Sequence, residues 1–120
     1  MNEKRKNSRF QTIAKVKIKE IGNEDFPLKD LSVLGCRIEC PIEKDIMPNM
    51  KFEIQIIPEG AAKIKSFIVK TESKWVRVGG NNCEIGFLIA EPPKGRQFHR
   101  YIDYLSWRYS QGESMTGKEC

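Results

Sequence analysis

The first clear pattern in the chain is an alternation: Ala14, Val16 and Ile18 interleave with Lys15, Lys17 and Lys19. A period of two with polar partners predicts a strand with one buried face. Gly22-Asn23-Glu24-Asp25 then supplies turn chemistry. Cys36-Arg37-Ile38-Glu39-Cys40 alternates again, a loop through Pro41 and Pro48 follows, and Phe52, Ile54 and Ile56 face away from Lys51, Glu53 and Gln55. Pro58-Glu59-Gly60 ends that strand. Residues 64–78 are rich in β-branched and aromatic types, and Gly79-Gly80-Asn81-Asn82 offers positive-φ residues for a tight hairpin. The return strand places Cys83, Ile85, Phe87 and Ile89 on one face. Strands joined by short connections predict an antiparallel barrel or sandwich.

The period changes after Pro92-Pro93. Phe98, Tyr101, Ile102, Leu105 and Tyr109 fall at helical spacing, with Arg96, Arg100, Asp103 and Arg108 mostly off that stripe. This predicts an amphipathic helix packed on the barrel, with Gly112 as its stop. Residues 112–120 read as a disordered tail.

Charge sharpens this outline. The 120 residues carry 21 Lys+Arg against 16 Asp+Glu, a net +5, with 39% hydrophobic residues, which suits one soluble domain. Within residues 1–10, Lys4, Arg5, Lys6 and Arg9 oppose only Glu3, so +3 of the +5 is concentrated there. Self-repulsion predicts a flexible basic segment over 1–10, ahead of a barrel-plus-helix domain over 11–111. The balance favours anionic partners without choosing among them. No apolar run approaches the ~18 residues of a membrane span, and the charged start lacks a signal-peptide core, so a cytoplasmic location is expected. The four cysteines form no C-x-x-C and His99 is the only histidine, so neither a metal site nor a cofactor is expected. On one strand, Cys36 and Cys40 would lie ~13 Å apart, too far for a disulfide.

Two clusters carry chemistry. One is Arg5-Lys6-Asn7-Ser8-Arg9, an R-x-x-x-R before the first strand; the other is Asp30-Leu31-Ser32-Val33-Leu34-Gly35, a D-x-S-x-x-G between two predicted strands. Each arginine offers a planar fork that can hold a phosphate or match the O6 and N7 of guanine. Asp30 can accept from the donors on guanine's opposite edge, and Ser32 can give or accept. Gly35 permits positive φ or a close backbone approach. Separately, a basic run is ordinarily a solvated tail, and Asp-x-Ser before Gly is ordinarily a local turn whose side chains cap backbone N–H groups. Arg9 and Asp30 are separated by one predicted strand and its turn, so the chain can bring the clusters together.

In these five positions, Arg5, Arg9, Asp30, Ser32 and Gly35, the sequence resembles the PilZ domain family. Trp75 and Ile85-Gly86-Phe87 are looser echoes. The resemblance spans about residues 4–110 and implies a mainly β fold: a six-stranded antiparallel β-barrel with a C-terminal α-helix, here as a stand-alone domain. It implies a bacterial receptor for the second messenger cyclic di-GMP, acting in signal transduction through an unidentified downstream protein rather than by catalysis. Arg5 and Arg9 would contact phosphates and guanine, Asp30 and Ser32 would hold a guanine, and Gly35 would shape the turn beneath it. A basic residue before the first arginine can favour two stacked ligands, and Lys4 holds that place here. The expected mechanism is ligand-driven ordering of the basic segment.

Three other readings compete. A single-stranded nucleic-acid binder of the OB or cold-shock type would suit a small basic barrel, but it needs exposed aromatics. Phe52, Phe67, Phe87 and Trp75 fall instead at positions expected to fill a barrel. A PilZ-like adaptor without ligand is a second reading, disfavoured by the intact motif. An enzyme is a third, disfavoured because His99 and Ser32 lack triad partners.

Overall fold

The computed structural model describes residues 9–41, 46–91, 93 and 95–111. Among these are strands β1 (Phe10–Gln11), β2 (Lys15–Ile18), β3 (Asp25–Leu31), β4 (Gly35–Pro41), β5 (Lys51–Ile57), β6 (Phe67–Gly79) and β7 (Asn82–Glu91), and one α-helix, α1 (Gln97–Ser110). A single 3-10 turn at Gly60–Ala62 links β5 to β6.

Neighbouring strands are antiparallel in the order β3-β2-β5-β6-β7-β4, and pairing of β4 back onto β3 closes a six-stranded barrel. The inward positions are the ones the alternation marks: Val16 and Ile18, Phe52, Ile54 and Ile56, and Cys83, Ile85 and Phe87 are all buried. Phe52 and Phe87 meet edge to face across this core, 5.8 Å between centroids. Outward lysines face carboxylates on adjacent strands, as in Lys17 with Asp25, Lys19 with Glu53 and Lys29 with Glu39.

The sequence pattern missed β3. A turn was expected to end at Asp25, yet Asp25–Leu31 is a strand with Phe26 and Leu28 buried. Pro27 masks it, because proline is depleted in strands; here it precedes the first β4 pairing, Leu28 with Ile38, where no ladder donor is needed. Two strands with β1, rather than one strand and its turn, therefore separate Arg9 from Asp30. β1 pairs with the C-terminal end of β3 (Phe10 with Leu31, Gln11 with Asp30), and β2 pairs with its N-terminal end. The two run end to end along one edge of β3, interrupted at Thr12–Ala14.

Helix α1 buries Phe98, Tyr101 and Leu105 against the barrel, with Phe98 and Tyr101 packed on Phe67. The Tyr101 hydroxyl donates to Glu59 (2.7 Å) and accepts from Thr12 (2.9 Å), while Arg108 reaches the same Glu59 carboxylate at 3.3 Å. Burial, then the Glu59 carboxylate, raise the Tyr101 ionisation well above its ordinary value, with Thr12 opposing. Tyr109 is exposed although it lies on the predicted stripe, but its ring meets Phe10 of β1 at 6.0 Å. Gly112 and the rest of the predicted tail lie outside the described residues, as do residues 1–8 of the basic segment.

Candidate ligand-binding site

Asp30 owes its position to a β-bulge. Leu28 pairs with Ile38 but Asp30 pairs with Arg37, so β3 carries one extra residue at this point. Strict alternation would put Asp30 on the core face with Phe26 and Leu28. The bulge instead turns it outward beside Arg37 and gives the inward place to Leu31. Arg9 lies two residues before Gln11, the partner of Asp30, and so reaches it diagonally on the same face.

The two sequence clusters therefore meet. Arg9 Nη1 donates to Asp30 Oδ1 at 2.9 Å. Arg37, which the sequence reading did not single out, donates Nε to Asp30 Oδ2 at 3.0 Å and places Nη2 at the same distance. Arg37 also reaches Glu84 at 3.3 Å, and Glu84 faces Arg77 at 3.8 Å. Asp30 is only 6% exposed, so these donors replace the water it has lost. Arg37 occupies Oδ2 twice, which leaves spare acceptor capacity on Oδ1, the oxygen shared with half-exposed Arg9. The signal for Arg37 was its spacing, two residues beyond Gly35 on an alternating strand.

Ser32 follows the local-turn reading. Its hydroxyl accepts from the backbone N–H groups of Leu34 and Gly35 and lies 3.3 Å from the Gly35 carbonyl. It is 2% exposed and shapes the β3–β4 turn from within. Gly35 is required for close approach rather than for positive φ: a Cβ there would stand 2.4 Å from the Phe87 carbonyl oxygen.

A second bulge completes the site. Ser73 pairs with Phe87 but Trp75 with Gly86, so Lys74 is the extra residue on β6. Trp75 was expected to fill the barrel; the bulge turns it out, 39% exposed, and its indole lies where a Gly86 side chain would begin. Arg77 caps the indole at 5.0 Å. Arg9, Leu34, Gly35, Trp75, Gly86 and Leu88 line an open cleft of about 180 Å³. This is smaller than the ~300–1,000 Å³ typical of small-molecule sites, so a nucleotide would extend beyond it. Arg5 and Lys4 lie outside the described residues. No group of three or more His, Cys, Asp or Glu among the described residues could hold a metal ion. Nor is any described helix long and apolar enough to cross a membrane.

A closed six-stranded antiparallel barrel with one added strand and a single C-terminal helix is the fold of a PilZ domain. The chain is similar to the solved PilZ domain of YcgR from Escherichia coli with c-di-GMP, with a TM-score of 0.68 and 16% identity over 94% of this chain and 100% of that one. No protein-family model matches the sequence, and no curated protein matches it.

Proposed function

We propose that the chain is a receptor for cyclic di-GMP that relays the signal to a protein partner. One observation carries the reading: Arg9 and Asp30, from two separate sequence clusters, meet at 2.9 Å beside a cleft walled by an outward tryptophan. The fold likeness to a domain solved with c-di-GMP supports it.

In this reading Asp30 accepts from the Watson–Crick edge of one guanine through Oδ1, while Arg37 holds Oδ2. Arg9 exchanges part of its bond to Asp30 for a ligand phosphate or guanine. Trp75 offers its indole to a base as Arg77 moves off the face it caps. Ser32 and Gly35 act by shape, keeping the β3–β4 turn low enough for the ligand to approach. The ligand overhangs the small cleft, and Arg5, with Lys4 before it, closes over the overhang. That movement joins the basic segment and the nucleotide into one surface, which the partner recognises. The cross-strand ion pairs of the barrel face separate this site from a continuous cationic track for a polymer.

Titration calorimetry of the chain and of its Arg9→Ala and Asp30→Ala variants tests the proposal. Each substitution removes charge-assisted hydrogen bonds of about 1.5–3 kcal/mol, so affinity for cyclic di-GMP should fall about 10–100-fold in each. A folded chain that gives no binding heat would refute the receptor reading. Unchanged affinity in both variants would place the site elsewhere.

A further inference from the structure

Cys40 and Cys83 lie directly opposite one another, Cys40 near the end of β4 and Cys83 near the start of β7. Opposed residues of an antiparallel pair have Cα atoms ~4.5–5.5 Å apart, inside the ~4.4–6.8 Å span of disulfides. Both side chains point into the core, at 2% and 3% exposure, and their sulfurs stand 3.7 Å apart. Closing the 3.7 Å gap to the ~2.05 Å of an S–S bond asks for side-chain rotation at the two cysteines. Cys40 also lines a surface groove with Phe26, Pro27, Glu39, Pro41 and Asn82, and its core-facing sulfur meets a small oxidant when this end of β4 opens locally. The sequence pattern paired neither residue with the other, because they are 43 positions apart.

We propose that Cys40 and Cys83 form a reversible cross-strand disulfide on exposure to a peroxide. The Cys40 thiolate attacks one peroxide oxygen, the O–O bond breaks, and hydroxide leaves, giving a sulfenic acid at Cys40. The Cys83 sulfur then displaces that hydroxyl, which takes up the Cys83 thiol proton and leaves as water, while the hydroxide of the first step takes up the proton that Cys40 lost on ionising. Two electrons pass from the pair of thiols to the peroxide, which ends as two waters. A dithiol reductant reverses the bond by exchange. The staple joins β4 to β7 some five residues, ~17 Å of strand, from Gly35 at the cleft. It locks the barrel seam and leaves the cleft itself untouched.

The test is hydrogen peroxide treatment of the folded full-length chain, followed by alkylation under denaturing conditions and peptide mapping without reductant. The expected result is a Cys40–Cys83 linked peptide, a mass lower by two hydrogens, and reversal by dithiothreitol. Closing so long a loop should raise Tm by roughly 10 °C, a rise that Cys83→Ala abolishes. If both cysteines are recovered alkylated, are over-oxidised separately, or are linked only to Cys36 or Cys120, the proposal fails.

Discussion

Asp30 faces outward because Lys29 is one residue too many for the β3–β4 ladder, and Gly35 is glycine because Phe87 leaves no room. The second point gives a direct expectation. Gly35→Ala would push a methyl against a backbone carbonyl that cannot rotate away, so strands β4 and β7 must separate slightly. Overpacking of this kind costs about 1–3 kcal/mol, which urea denaturation would register as a lower midpoint with little change in slope. Cys36, paired with Leu31 beneath the site, gives a second. Burial first, and then the Asp30 carboxylate, push its thiol up to about 12 from an ordinary 9.0, with Arg9 pulling the other way. Between pH 9 and 12 the unfolded chain gives up this proton and the folded chain keeps it. The unfolded state then binds fewer protons, so stability falls as pH rises through that window. Urea midpoints at mildly and strongly alkaline pH should show the fall, with a shallower slope in Cys36→Ala.

At the scale of elements, the regular parts were legible and the irregular parts were not. Period two identified β2, β4, β5 and β7, and helical spacing identified α1, because a strand or helix with one buried face writes its period into the sequence. β3 escaped because Pro27 interrupts its pattern and the bulge at Lys29 reverses its parity halfway. The same effect hid the orientation of Trp75, whose place in the alternation pointed inward until Lys74 shifted it. Arg9, Asp30, Ser32 and Gly35 were all legible as candidates; the spacing of Arg37 from Gly35 put it on the outward face, but its pairing with Asp30 follows only from the bulged register. Helix α1 is joined to the barrel by a polar contact as well as an apolar one. Tyr101→Phe removes the hydroxyl that links Thr12 to Glu59, leaving Arg108 as the helix's bond to that carboxylate. A loss of about 1 kcal/mol is expected, visible as a Tm lower by about 4–8 °C.

At the scale of the molecule, barrel closure is what makes a site from distant pieces of chain. β1 brings Arg9 to the end of β3, β4 brings Arg37 and Gly35, and β6 and β7 bring Trp75 and Gly86 to the neighbouring seam. The net charge of +5 and the outward lysines first suit a polymeric anion, but the folded surface pairs Lys17, Lys19 and Lys29 with carboxylates. Apart from them stands a local arrangement of arginines, one buried carboxylate and one indole, which the proposed function assigns to a discrete nucleotide. The measurement that addresses this most directly is a backbone amide and indole N–H chemical-shift map of the chain titrated with cyclic di-GMP. The account predicts saturable shifts concentrated at Arg9, residues 30–37, the Trp75 indole and Gly86. A folded chain with no shifts, or with shifts confined to the lysine-bearing face of β2 and β5, would contradict it.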